Sequence, residues 1–174
     1  MPVTAYHPNN GWPPSLLAHP AMSFMHAFTL AWCEAKTAHA QPYTEWLTSD
    51  FELVSYDGHA FVGEAAAKAF IASMKHYEKS TVGMDVVYME DTEGGGYEGW
   101  AMGRIYVDFA GGEEGREKGF VDGQGRGWDV AVPRAYGCTF VRDESGPVGG
   151  VKLSKMVVVG DFGVVAKGAA KRGN

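Results

Sequence analysis

Asp57 and His59 stand on either side of Gly58 in the stretch Ser55-Tyr56-Asp57-Gly58-His59-Ala60-Phe61-Val62-Gly63. A carboxylate beside an imidazole is an acid–base unit: the carboxylate orients the ring and raises its basicity, and the ring takes and returns protons near neutral pH. Isomerisation, cyclisation and dehydration next to a carbonyl all need a proton moved in this way, so Asp57 and His59 are the candidate catalytic pair. Asp-Gly is equally a turn dipeptide in which the carboxylate bonds to nearby backbone, and that reading stands beside the chemical one. Further candidates lie downstream. Trp100, Met102, Arg104, Tyr106 and Asp108 alternate with Ala101, Gly103, Ile105, Val107 and Phe109, while Trp128, Val130, Val132, Arg134, Tyr136, Cys138 and Phe140 share a second period-two face. A strand face mixing tryptophan, tyrosine and arginine suits a pocket for a polar, ring-containing ligand, or a sheet face used for dimerisation. With Phe28 and Trp32 on an upstream helix, Trp100, Arg104, Tyr106 and Tyr136 form the candidate substrate-binding set.

The elements that must position these groups follow from periodicity and punctuation. Residues 21–38 read as a helix with Met25, Phe28, Trp32 and Ala35 on one face, and residues 41–47 as a second, short one. Residues 49–54 form the strand that leads into the Asp57 turn. The spacing of Ala67, Phe70, Ile71, Met74 and Tyr77 predicts a third helix over 63–79. From there the chain is strand after strand, at 81–89, 97–110, 128–142 and 151–159, joined by glycine-rich turns that imply an antiparallel meander. The connection 111–127 is long and polar, a mobile loop or a lid. Residues 1–20, with five prolines, read as an irregular arm that packs down in part, and 168–174 as a loose basic tail. Helices first and a sheet afterwards imply an α+β domain spanning residues 1–174, with helices packed on one sheet face.

Composition narrows the functional class. The 174 residues are 45% apolar and 21% charged, an ordinary globular profile, and the net charge of -6 argues against nucleic acid or an anionic membrane as a main partner. No apolar run is long enough for a membrane span, and the N-terminus does not read as a secretory leader. Cys33 and Cys138 do not suggest a disulfide framework, and a reducing, cytoplasmic setting is expected. No metal-ligand spacing and no phosphate-cradling glycine loop opening a helix is present, so a site without metal or cofactor is expected.

Taken in order, helix, short helix, strand, then Asp57-Gly58, Phe61, Gly63 and Ala66 to Phe70 opening a third helix ahead of a meander, the sequence resembles the NTF2-like superfamily and, within it, the SnoaL-like branch. The segment from Trp46 to Phe51 carries part of the likeness. The resemblance implies a cystatin-like α+β barrel: a cone-shaped, curved antiparallel sheet wrapped around three N-terminal helices, with a pocket at the open end. It implies a cofactor-independent polyketide cyclase, isomerase or dehydratase, or a non-catalytic ligand-binding or dimerisation module, and a homodimer. The Asp57–His59 pair matches the Asp-x-His of the fungal meroterpenoid isomerases in the corresponding segment, which implies a polyketide- or terpenoid-like substrate. The pattern of scytalone dehydratase is not matched, since the first helix offers His26 in its place.

Overall fold

A computed structural model describes residues 3–6, 12–32, 42–74, 76–110, 117–161 and 163–170. In chain order the elements are β1 (Val3–Tyr6), α1 (Pro14–Leu17), α2 (Pro20–Trp32), α3 (Tyr43–Trp46), β2 (Leu47–Val54), β3 (Ala60–Val62), α4 (Glu64–Ser73), β4 (Tyr77–Asp91), β5 (Tyr97–Phe109), β6 (Phe120–Val121), β7 (Gly127–Trp128), β8 (Val130–Arg142), β9 (Val151–Gly160) and α5 (Gly163–Ala170). Seven strands make one sheet in the order β1-β4-β5-β8-β9-β2-β3, and β6 and β7 form a separate hairpin. The expected meander is present as β4, β5, β8 and β9. The sheet is mixed, however, and not antiparallel throughout: β2 lies parallel to β9, with Leu53 opposite Met156 and Val54 opposite Val157.

Curvature has local causes. The ladder between β4 and β5 slips between Tyr77 and Lys79 and again between Met84 and Val86, two bulges that bend the strand. Beside the second bulge the strands approach so closely that a Cβ on Gly103 would lie 2.0 Å from the carbonyl oxygen of Gly83. Only a residue without a side chain fits there.

The concave face covers α2, whose Ala21, Phe24, Met25, Phe28 and Trp32 recur at helical spacing and are buried. The rings of Phe24, Phe28 and Trp32 stack in succession at 5.8 and 5.2 Å, and Trp46, Phe70 and Phe140 close around them. Helix formation stops where the sheet offers more. The helix expected over 63–79 ends at Ser73, whose hydroxyl donates to the Phe70 carbonyl at 2.6 Å. Tyr77, on the predicted helical stripe, instead begins β4 opposite Phe109. Ladder bonds along a fifteen-residue strand override a helical pattern that local propensity favours only weakly.

Three more expectations are corrected. The N-terminal arm holds a strand and a helical turn: β1 pairs with Val87 to Glu90 of β4, and Leu16 is buried in the chain's own core. The strand expected over 128–142 is interrupted at Asp129, whose N–H donates to the Val107 carbonyl at 3.1 Å and also lies 3.1 Å from Asp108 Oδ1. Residues 168–170 belong to α5 rather than to a tail. Within the long connection, residues 117–127 carry the β6–β7 hairpin, tethered by a buried charge cluster. Lys118 Nζ sits 2.7 Å from Asp108 and 3.2 Å from Asp129, and Lys79 lies 3.4 Å from Asp108. The end of the first predicted helix (33–38), residues 111–116 and residues 171–174 lie outside the described residues.

Candidate functional site

The strand β2 delivers the Asp57 turn. Ser55 N–H donates to the His59 carbonyl and Gly58 N–H to the Ser55 carbonyl, both at 2.9 Å, and Gly58 has φ +83, although a Cβ there would meet nothing within 4 Å. The glycine is therefore required by the turn itself. Asp57 accepts hydrogen bonds from the Ser55 hydroxyl and from His59 N–H (3.2 Å), and its Oδ2 lies 3.0 Å from His59 Nδ1. The Ser55 hydroxyl, the His59 amide and the imidazole together hold the Asp57 carboxyl down to about 2. It is a carboxylate at any ordinary pH, able to fix a tautomer but not to shuttle the proton itself. The predicted pair is thus brought together. It stands on the solvent side of the turn, with Asp57 and His59 side chains 46% and 74% exposed.

The neighbours of that turn, Ser55, Tyr56 and Phe61, line a cavity of about 340 Å³ inside the cone. Tyr56 and Phe61 are exposed at its rim, and the interior is walled by Met25, Phe28, Leu53, Phe70, Met74, Ile105, Met156 and Val158. Into this apolar wall project Arg134 and Tyr136 of β8 and Tyr77 of β4, all buried, with Arg134 Nη2 donating to the Tyr77 hydroxyl at 3.4 Å. A guanidinium and phenols in such surroundings can hold and polarise one oxygen of a ligand, because electrostatic interactions strengthen as water is excluded. Sequence reasoning passed over Arg134 as a site residue. The available signal was its position as the single charge on the Trp128-to-Phe140 alternation.

The six predicted binding residues separate. Phe28 and Tyr136 line the cone cavity. Trp32 is fully buried behind it, against Phe28 and Phe70, and is core. Trp100, Arg104 and Tyr106 face the other side of the sheet, since Ala101 pairs with Tyr136 and Ile105 with Val132 on the concave side. Trp100 is 46% exposed and lies over Gly137, where a Cβ would come within 2.9 Å of its ring.

Arg104 and Tyr106 line a second cavity, also about 340 Å³, between α2, the start of β4, β5 and the β6–β7 hairpin. Its charges are paired: Arg104 with Asp85 at 3.3 Å and Arg126 with Asp122 at 3.1 Å. Lys79 and Arg126 both stand over the Trp128 ring, 5.5 and 5.6 Å from its centre. Burial would raise the Asp122 carboxyl, but hydrogen bonds from Arg126 N–H, the Trp128 indole and Gln124 N–H outweigh it and lower the pKa. Burial also lowers the pKa of His26 on the same wall. Among the described residues no three His, Cys, Asp or Glu side chains gather to hold a metal ion, and no helix is long and apolar enough to cross a membrane.

No family model and no curated protein matches the chain by sequence. Solved structures do match in fold. A candidate dehydratase of the NTF2-like family from Streptomyces avermitilis has 14% identity and TM-score 0.61 over 86% of this chain and 99% of its own. A candidate polyketide cyclase from Xanthomonas campestris pv. campestris has 16% identity and TM-score 0.53 over 86% and 96%. Nuclear transport factor 2 from Cryptosporidium parvum has 11% identity and TM-score 0.55 over 87% and 99%. The chain has the NTF2-like fold.

Proposed function

We propose that this protein binds a small, mainly apolar, ring-containing molecule of the polyketide or terpenoid kind in the cone cavity. There it isomerises, cyclises or dehydrates its ligand without a cofactor, in the manner of the SnoaL-like branch. The observation that carries the reading is the set of Arg134, Tyr77 and Tyr136 in a mainly apolar wall. Arg134 and Tyr77 hold a carbonyl or phenolic oxygen, and the negative charge that grows on it when a neighbouring C–H is deprotonated is met by donors already in place. Donors of this sort are worth about 10²–10³-fold in rate. His59, oriented through Nδ1 by Asp57, exchanges the proton at Nε2 for the part of the ligand that reaches the mouth beside Ser55 and Tyr56. Returning the proton to another carbon isomerises the ligand; giving it to a leaving hydroxyl dehydrates it. General acid–base help of this kind contributes about 10²–10⁴-fold.

A second reading, ligand binding without turnover, is favoured by the exposure of Asp57 and His59 on the solvent side of their turn. Two measurements separate the two readings: binding of 2-naphthol, followed by fluorescence, and exchange of the α-protons of 2-tetralone in D₂O, followed by NMR. Asp57→Asn and His59→Ala are expected to slow exchange by about 100-fold and to leave naphthol binding unchanged, whereas Arg134→Met weakens binding. Naphthol binding with no exchange in the wild-type protein establishes the second reading; no binding at all removes both.

The same proposal includes a homodimer through the convex sheet face. Across the ladder, Trp100 lies beside Gly137 and then Val157, and Met102 beside Ala135 and then Val159, an apolar band over three strands. Trp100, Met102 and Val159 are each about half exposed, and aromatics and methionine in such a band are what interface cores are enriched in.

A further inference from the structure

We infer that the two cavities receive the two halves of one ligand: an apolar ring body in the cone and an anionic arm, ending in a carboxylate or a phosphate, in the polar cleft. The inference rests on the cone being a ligand site, as proposed above. Its first support is the partition. Thr29 of α2 with Val82 and Met84 of β4 line both cavities, so these three residues are shared by the cone and the cleft. Met84 is unbranched, and a methionine can change rotamers without moving backbone. It stands directly before the second bulge of β4, where the ladder is already irregular.

The second support is charge. The chain carries a net charge of -6, yet the cleft gathers Lys79, Arg104 and Arg126, with Arg104 and Arg126 set against Asp85 and Asp122 and Lys79 held by the buried Asp108. Each arginine reaches its carboxylate through a single nitrogen, Arg104 by Nη1 and Arg126 by Nε. A guanidinium has five N–H donors in a fork that fits carboxylate and phosphate oxygens, so each keeps donors for a ligand anion. Both side chains are about half exposed, open to a solute.

The third support is shape. Tyr106 rests over Gly83, where a Cβ would come 3.2 Å from its ring, so the absent side chain leaves room for the floor of the cleft. Each cavity alone, at about 340 Å³, is at the small end for a ligand site, which spans roughly 300–1,000 Å³; the two joined fall well inside that range.

The test uses 2-naphthol as the body alone, inorganic phosphate and acetate as the arm alone, and naphthylbutyl phosphate and naphthylpentanoate as joined probes, all titrated calorimetrically against the full chain. Linking halves that occupy adjoining sites raises affinity by about 10²-fold or more over the halves, so each joined probe whose end group fits should bind at least about 10-fold tighter than 2-naphthol. The larger gain of the two identifies phosphate or carboxylate as the arm. The double variant Arg104→Ala with Arg126→Ala should bring the joined probes back to the affinity of 2-naphthol and leave 2-naphthol itself unchanged, which also shows that the variant is folded. Naphthol binding with no gain on joining, or a gain that survives the double variant, overturns this inference alone. No naphthol binding to the wild-type protein overturns the proposed function and this inference with it.

Discussion

Asp57 shows how one residue serves a turn and a chemical pair at once. Its Oδ1 closes the Gly58 turn by accepting from Ser55 and from His59 N–H, and its Oδ2 keeps the imidazole at 3.0 Å. Because its folded pKa, about 2, lies below the ordinary 3.8, the group favours the folded state above the unfolded value. That contribution is lost as pH falls through the folded pKa. Between about pH 4 and pH 2 the wild-type protein should therefore lose stability with a component that Asp57→Asn lacks. Thermal melts at half-unit intervals across that window check this. Parallel curves for the two proteins would show that the native bonds to the carboxylate carry no weight. Arg134 is the contrasting residue, a buried cation that belongs to no turn or cap and whose position is explained by the cavity it faces.

At the scale of elements, the β6–β7 hairpin is short, and besides the buried Trp128 ring what holds it is charge. Lys118 bridges two carboxylates that are almost wholly buried, while Asp108 also keeps Lys79, and Asp129 Oδ2 accepts from Phe109 N–H at 2.9 Å. Lys118→Met should cost about 2 kcal/mol, less than the 3–5 typical of breaking a buried pair, because those other contacts remain. Urea unfolding measures it, and protease cleavage within 117–127 should become faster. The same elements show what a sequence can disclose. The strand of Phe51 and Leu53, the α2 stripe of Met25, Phe28 and Trp32, and the faces of β5 and β8 were legible because burial repeats at period two or period 3.6. The end of α4 was not, since Tyr77 fits a helical stripe and a strand equally and only its partner Phe109 decides. Nor was the side of the sheet that Trp100 and Arg104 would face. Alternation says that two residues share a face and leaves open which face is concave. Arg134 and Tyr77 meet across 57 positions of chain, and no local pattern encodes such a meeting.

For the whole molecule, the convex band predicts an assembly. Trp100→Glu with Met102→Glu places two charges at the centre of the band, where burying an unpaired charge is prohibitive. Sedimentation should show a dimer for the wild-type chain and a monomer for the variant, with 2-naphthol affinity within about 2-fold, since the band and the cone lie on opposite faces of the sheet. A wild-type monomer would instead make the band a surface for another partner. The parallel pairing of β2 with β9 has a consequence of a different kind. The strand that carries the Asp57 turn is made early and pairs with β3 directly after it, but its partner on the other side spans Val151–Gly160. During synthesis from the N-terminus, β2 must wait through the whole meander for that second neighbour to leave the ribosome. Until then the cone has an open seam, Met156 and Val158 are missing from its wall, and the apolar cavity does not exist. The chain therefore acquires its cone cavity last, in the same step that closes the sheet, and a nascent or C-terminally shortened chain exposes Leu53 and Phe28 to whatever chaperone attends it.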